Sequence, residues 1–323
     1  MGSYLVTGAA GFIGSQICRN LLVDGHTVLG MDDLNDAYDV RLKHWRLKQI
    51  TPLPGFTFHH VDIRDRAAVM AVVDRPLDAV LNLAARAGVR SSVIIPEVYV
   101  QTNMLGTLNL LELCRHQGIP KFVLASTSSL YGANPPLPTP ETADSDHPLQ
   151  PYAASKKGAE ALAHSYHHLF GIDVTVFRYF TVYGPAGRPD MVIFRFAQWI
   201  AEGRPVQVTG DGNQSRGFTY LDDIARGTIL GLKPLGYELI NLGGHEVVTI
   251  NQLIAMLEDL IGKKALVEYI PRNPADVDAN WADVSKARRL LGWQPQISLQ
   301  QGLQRLVEWY IAERSWASQV VTD

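Results

Sequence analysis

Thr7-Gly8-Ala9-Ala10-Gly11-Phe12-Ile13-Gly14 decides how this chain is read. An apolar stretch, Tyr4–Thr7, leads into it and an amphipathic stretch, Ile13–Asp24, leads out, so the glycines stand at a strand-to-helix turn. The spacing is GxxGxxG rather than GxGxxG. Its chemistry is the same, because small residues let backbone N–H groups and a helix N-terminus approach a pyrophosphate. Alone, such a pattern is often only a tight turn, and the surrounding chain has to decide.

Outward from the turn, apolar runs alternate with helical patterns. Strands are predicted at Tyr4–Thr7, Thr27–Met31, Phe56–Val61, Ala79–Leu83, Lys121–Ala125 and Asp173–Tyr179, with helices at Ile13–Asp24, Arg66–Val73, Val100–Gln117 and Tyr152–Phe170. Strands apolar on both faces and separated by helices predict an α/β fold with a doubly wound parallel Rossmann sheet. Connections are short except Ala133–Pro151, rich in Pro, Thr and Asp, which reads as a surface loop over a site mouth. After Gly184 the rhythm changes. A helix Ile193–Glu202, strands Val206–Thr209 and Glu238–Leu242, and helices Asn251–Ile261 and Leu299–Arg314 predict a smaller C-terminal mixed α/β lobe closing over the sheet edge. The expected division is a dinucleotide-binding domain over residues 1–180, with return segments around 216–255, and a mainly substrate-binding lobe over 181–323.

Bulk numbers exclude several classes. The 323 residues can bury a large core, and 46% hydrophobic with 19% charged residues is ordinary for a globular protein. A net charge of −3 without dense runs leaves no footprint for nucleic acid or an anionic membrane, so neither is expected as a partner. Cys18 and Cys114 read as buried free thiols of a reducing compartment. The chain enters its first strand without a basic leader and carries no membrane-length apolar run, which predicts a soluble, cytoplasmic protein. His164 and His168 have ligand-like spacing but lack a third ligand, so no metal is expected.

A second motif carries chemistry. In Tyr152-Ala-Ala-Ser-Lys156 the lysine lies one helical turn from the tyrosine, on the same face. Tyrosine titrates near ~10 and makes a poor base unless neighbouring positive charge favours the phenolate. Ahead of the pair stand Ser126-Thr127-Ser128-Ser129 and Leu130-Tyr131-Gly132. In that order, after the glycine turn, these motifs resemble the extended short-chain dehydrogenase/reductases, and the resemblance runs the length of the chain. It implies that Tyr152 and Lys156, with a hydroxyl that falls on Thr127 by counting back four from Tyr131, remove a proton from a sugar alcohol as hydride leaves for NAD.

Asp32 ends the second strand, where an acidic residue accepts from both ribose hydroxyls and repels a 2′-phosphate; NAD is therefore expected over NADP. Asp33 reads as a loop or cap residue. The cofactor residues expected are Gly8, Gly11, Phe12, Ile13, Gly14 and Asp32, with Tyr152, Lys156 and Tyr179. The family resemblance adds Asp62-Ile63 at the adenine and Leu83-Ala84-Ala85 beside the cofactor. Lys43 is assigned to a phosphate, although an exposed lysine is the plainer reading.

The resemblance sharpens with Asp32-Asp-Leu-Asn-Asp-Ala-Tyr-Asp39, Ala87-Gly-Val-Arg90, Arg178-Tyr-Phe-Thr-Val-Tyr-Gly-Pro185 and Gly187-Arg188-Pro189-Asp190-Met191, which together look like the UDP-glucuronate 4-epimerases. Gly210-Asp-Gly-Asn-Gln-Ser-Arg216 and Thr219-Tyr-Leu-Asp222 resemble a nucleotide-sugar signature in which Arg216 meets the diphosphate. Arg272 is given the same role, with its register loosened by Asn273-Pro274-Ala275, and Arg90 is placed with the substrate. The implied reaction is NAD-dependent C4 epimerisation of UDP-glucuronate to UDP-galacturonate through a transient 4-keto sugar. That ketone makes the C6 carboxylate a β-keto acid, so the site must hold the carboxylate against loss of carbon dioxide. Thr127, Ser128, Ser129 and Thr181 are the hydroxyl candidates for this grip, with Arg188 nearby. Related decarboxylases carry Glu where Ser129 stands, and UDP-glucose 4-epimerases usually carry Asn where Thr181 stands. The alternatives are a UDP-glucose or UDP-N-acetylglucosamine 4-epimerase and a UDP-glucuronate decarboxylase. A 4,6-dehydratase and a non-catalytic NAD-sensing protein fit the motifs less well. The helices Val100–Gln117 and Tyr152–Phe170 match those that pair family dimers, which implies a homodimer.

Overall fold

The structure, a computed structural model, describes residues 1–244, 246–271 and 279–322. Its strands, in chain order, are β1 Ser3–Thr7, β2 Thr27–Asp32, β3 Phe56–His60, β4 Ala79–Asn82, β5 Lys121–Thr127, β6 Asp173–Tyr179, β7 Thr181–Tyr183, β8 Pro205–Thr209, β9 Ser215–Tyr220, β10 Tyr237–Leu242, β11 Glu246–Thr249, β12 Leu266–Ile270 and β13 Ala279–Asn280. Seven of them form one parallel sheet in the order β10-β6-β5-β4-β1-β2-β3. The order reverses between β1 and β4, which opens a crevice at the carboxyl ends of the strands where open α/β sheets hold ligands. The doubly wound reading of the sequence therefore holds.

Alternate residues of each strand feed the two faces. Val6, Val123, Ala125, Phe177 and Leu242 pack on one side with the helices Phe12–Val23 and Leu221–Leu230. Leu5, Leu124, Val174 and Val176 pack on the other with the helices Gly106–Gln117 and Pro151–Phe170. A third core gathers Ile193, Trp199, Phe218, Leu253 and Leu303 among the helices Val192–Glu202, Ile250–Ile261 and Leu299–Ala312. Beside it lie a mixed sheet, β11-β9-β13 with β7 also on β9, and the pair β12-β8. The chain does not stay there once it has left the large sheet. Strand β10 returns to pair with β6, and Trp293, fully buried, packs into the first core.

Several elements depart from expectation for physical reasons. The helix Val40–Ile50 went unlisted because its inward positions include Lys43 and Arg46, which hide its apolar period. The helix expected over Val100–Gln117 begins with a π-helical turn, Val100–Leu105, before α-geometry resumes at Gly106. Ala133–Pro151 is more than a surface loop. Thr139 is fully buried and bridges to Ala282, and the carboxylate of Glu141 accepts from the Asn241 backbone N–H at 2.8 Å. Among the described residues no helix is long and apolar enough to cross a membrane.

Two glycines in the turn after β1 are obligatory. Gly8 has φ +69°, and a Cβ on it would lie 2.8 Å from the Ala84 backbone nitrogen. A Cβ on Gly14 would lie 2.1 Å from the Gly8 carbonyl oxygen, a backbone atom that can yield only if the helix moves. Gly14→Ala is expected to destabilise the protein by about 3 kcal/mol or more, as overpacking against backbone does. A thermal melt with Tm within about 2 °C of wild type would contradict this.

Candidate active site

The glycine turn sits between the tips of β1, β2 and β4. Asp32, buried at the end of β2, accepts from the Ala10 N–H at 3.1 Å through Oδ2 and from the Leu34 N–H at 2.9 Å through Oδ1. Lys43 is not the exposed lysine of the sequence reading. It is buried, with Nζ 3.6 Å from Asp32 and 3.9 Å from Asp33. On the other flank, Thr7 donates to Asn82 at 2.8 Å and accepts from the Ala84 N–H at 3.2 Å. Asn82 passes the chain on to Thr107, and Thr107 donates to the Asn103 carbonyl at 2.7 Å. A buried polar network therefore fixes Leu83-Ala84-Ala85 against the turn.

Tyr152 is the second residue of the helix Pro151–Phe170. Pro151 supplies a fixed φ at the first position of the helix, where its missing N–H costs nothing. The Tyr152 phenol faces the Thr127 hydroxyl at the end of β5, and the Tyr99 ring stands edge-on to it at 6.1 Å. Burial pushes the phenol above its ordinary pKa, while Thr127 and the positive charge of Arg188 pull it down and Asp190 pushes it up. Lys156, one turn on and fully within the protein, donates from Nζ to the Ala125 carbonyl at 2.8 Å. Burial pulls its ammonium down to about 8, against the opposing charge of Glu160. A buried phenol and a titratable lysine thus meet at the carboxyl end of β5.

Hydroxyls collect beside them. Thr127 donates to Ser129 Oγ at 3.1 Å and accepts from the Ser129 N–H at 3.1 Å, as a helix cap does. Ser128 accepts from Asn280 Nδ2 at 3.4 Å. Asn280 is the register partner of Arg216, and Thr181 is that of Phe218, so β9 and β13 bring Arg216 within one residue of the chain that touches Ser128. The Arg188 guanidinium is held by Asp190 and lies 3.9 Å from the position a Cβ would take on Gly88. Arg90 follows two residues later and is exposed.

Other expected residues fall elsewhere. Tyr179 turns its side chain into the core on the far face of the sheet from the Tyr152 helix, with its hydroxyl 2.8 Å from Thr228. The Asp62 carboxylate holds Arg64 at 2.8 Å, and Ile63 is buried against Gly106. Arg272 lies outside the described residues.

Three groups went unnoticed in the sequence. Buried Asn103, in the π-helical turn, accepts from the Arg86 N–H at 2.9 Å, donates to its carbonyl at 3.0 Å and donates to Ser155 at 2.9 Å. It thereby ties the loop after β4 to the Tyr152 helix. Buried Arg46 donates to the Ala10 carbonyl at 3.2 Å and to Ala186 at 2.6 Å, joining the glycine turn to the Arg188 loop. Glu160 and Arg178 form an ion pair under Lys156. A polar residue within a helical pattern gives no signal of such work, except that YxxxK sits one turn from Glu160. Among the described residues no group of three or more His, Cys, Asp or Glu side chains gathers as a metal site would.

A glycine turn at the tip of β1, a tyrosine–lysine helix and a hydroxyl-bearing β5 define the class, and a profile of the NAD dependent epimerase/dehydratase family matches residues 4–243. The chain belongs to that family. Within it, the chain is 57% identical over 311 residues to a UDP-glucuronate 4-epimerase of Thermodesulfobacterium geofontis, covering 96% of both proteins. Its fold is similar to a UDP-glucuronic acid 4-epimerase from Bacillus cereus in complex with UDP-glucuronic acid and NAD, with TM-score 0.88, 37% identity, and 96% of this chain and 99% of that one covered. A UDP-glucose 4-epimerase from Thermotoga maritima with UDP-glucose superposes equally well, at TM-score 0.89 and 33% identity over 97% and 99% of the two chains. Backbone shape therefore does not separate acidic from neutral sugars.

Proposed function

We propose that this protein is an isomerase that converts UDP-glucuronate to UDP-galacturonate by NAD-dependent C4 epimerisation through a transient 4-keto sugar. The observation that carries it is the Tyr152–Thr127 contact beside buried Lys156, at the carboxyl end of β5, with three consecutive hydroxyl residues and no carboxylate at 127–129. The 57% identical relative bears the name of this activity.

The residues fit a dinucleotide. The cradle closed to any Cβ at Gly8 and Gly14 brings backbone to the surface at a helix N-terminus, where a diphosphate is favoured. Gly8, Gly11, Phe12, Ile13 and Gly14 would hold the diphosphate, Asp32 the adenosine ribose, Asp62 and Ile63 the adenine, and Leu83, Ala84 and Ala85 the nicotinamide side. When bound, NAD offers a hydride acceptor at C4 that later serves as donor. Tyr152 takes the O4 proton and gives one back to the inverted alcohol. Thr127 orients the phenol, and Lys156 supplies positive charge one turn away. Arg216 binds the diphosphate by charge-assisted hydrogen bonds. Ser128, Ser129 and Thr181 hold the C6 carboxylate so that the C5–C6 bond does not align with the C4 carbonyl π system. Arg90 and Arg188 add positive charge at that end.

The test is product identification by NMR after incubation with UDP-glucuronate: UDP-galacturonate is expected, and UDP-xylose or UDP-4-keto-pentose as main product overturns the reading. NAD is expected over NADP because the Asp32 carboxylate faces the ribose position and would repel a 2′-phosphate. Mass analysis of nucleotide released on denaturation checks this, and chiefly NADP would sink it.

We also infer that the protein works as a cytoplasmic homodimer through the helical stretches 100–117 and 152–170. Leu105, Leu169 and Phe170 are exposed along these stretches, apolar groups of the kind an interface covers.

A further inference from the structure

One buried carboxylate has no part in the proton transfer just described. Glu160 lies one turn beyond Lys156 in the same helix, on the face turned to the sheet. Its Oε1 accepts from Ser126 Oγ at 2.5 Å and from Arg178 Nε at 3.0 Å, and its Oε2 accepts from Arg178 Nη2 at 2.8 Å. Ser126 and Arg178 are register partners on β5 and β6. Ser126 also stands between Ala125, whose carbonyl accepts from Lys156, and Thr127, which faces the Tyr152 phenol. Arg178 donates further to Ser145 at 3.0 Å and lies 4.8 Å over the Tyr131 ring. Burial alone would pull the arginine pKa down, and Glu160 more than reverses that.

We propose that Glu160, clamped by Arg178, is a positioning residue for the reacting end of the site: its carboxylate ties the strand that presents Thr127 to the helix that presents Tyr152 and Lys156, and keeps an anion one turn beneath the Lys156 ammonium. The bland alternative is a structural ion pair. Buried pairs, however, add little net stability over well-packed apolar residues, so stability is a weak reason for one here. Placement is a better one. The bonds run to Ser126, which lies between the residues met by Lys156 and Tyr152, and to its register partner Arg178, and both lysine and tyrosine must keep their separation while a proton moves between oxygen atoms. The charged and titratable groups that act on one another here are Glu160 and Lys156 on the helix, Arg178 on β6 and Tyr237 on β10, with Tyr131 facing Arg178. Of these, Glu160 is the one that acts on Lys156 in the stabilising direction.

This inference rests on the proton transfer at Tyr152, and the experiment separates the two. The variants are E160Q/R178M, which removes both charges and leaves neither unpaired, and E160D, which keeps the anion. Each is measured as holoenzyme for kcat and KM with UDP-glucuronate across pH, and for titration of the Lys156 ε-carbon by ¹³C NMR, assigned by its loss in Lys156→Met. For E160Q/R178M the expected result is an alkaline limb of kcat and a Lys156 titration both lower by about one pH unit, with kcat down about tenfold and KM within about threefold. E160D is expected to return both titrations to near wild type. If E160Q/R178M does not fold, Ser126→Ala, which removes only the strand's hydroxyl, is measured in its place. A kcat fall of about fivefold or more at unchanged KM then supports the tie, and a smaller fall overturns it. Wild-type titration in the double variant overturns the proposal even where kcat falls, since a merely structural pair predicts that pattern. The NMR titration needs no turnover, so an enzyme inactive on UDP-glucuronate would fail the functional reading and still test this one.

Discussion

Tyr152→Phe is expected to lower turnover of UDP-glucuronate by roughly 10²–10⁴-fold, the range general acid–base catalysis contributes, while leaving bound NAD in place. Only the hydroxyl is removed. The ring still packs edge-on against Tyr99, and the helix start set by Pro151 is untouched. The expected size of the loss follows from the environment of the phenol. Burial holds it above its ordinary pKa, with Thr127 and Arg188 opposing, so the base role proposed for it needs the further positive charge that Lys156 and an oxidised nicotinamide would bring. A phenylalanine has no proton to exchange whatever that field is. Steady-state kinetics with copurified nucleotide quantified in parallel makes the check, and a variant keeping more than about a tenth of wild-type activity would refute the role given to Tyr152.

The second large effect concerns the substrate's carboxylate. UDP-glucose is expected to turn over at least ~10²-fold less efficiently than UDP-glucuronate, a loss of about 2.7 kcal/mol in transition-state binding. In the proposed site Ser128, Ser129 and Thr181 would donate to a C6 carboxylate that a single C6 hydroxyl replaces only in part, and a site with donors left unpaired discriminates strongly against the analogue. Thr181→Asn is expected to narrow the gap. Thr127→Ala and Ser128→Ala are expected to raise the share of decarboxylated product, because the C5–C6 bond is freer to rotate into line with the ketone. Comparable kcat/KM on the two sugars would promote the neutral-sugar epimerase, which the Thermotoga maritima superposition leaves open on shape alone.

The parts of this protein legible in its sequence are those written in apolar periodicity or in spaced small residues. The strands β1–β6 and the glycine turn were readable because both faces of a parallel strand are apolar and only glycine tolerates the approach at Gly14. The proton-transfer pair was readable because Tyr152 and Lys156 share one helix turn, so local spacing alone brings them together. What long-range bonds decide stayed hidden. Lys43 and Arg46 lie inward on a helix that looks polar, paired with Asp32 and with two distant carbonyl groups. Asn103 works through a π-helical turn that no residue pattern announces. Glu160 needs Arg178 and Ser126 from two strands before its carboxylate has a reason to be buried.

Strand β10, which returns to the large sheet after an excursion of more than fifty residues, governs how the chain can be assembled. Until residues 237–242 and Trp293 leave the ribosome, β6 has an open edge and the first core lacks part of its wall. Domains ordinarily fold as units while synthesis proceeds from the N-terminus. Here the glycine turn and the Tyr152 helix are made early, yet the sheet that carries them is completed only by residues 237–242 and its first core only by Trp293. A fragment ending near residue 180 accordingly leaves the β6 edge and part of the first core uncovered, which makes it an aggregation hazard rather than a finished cofactor-binding module.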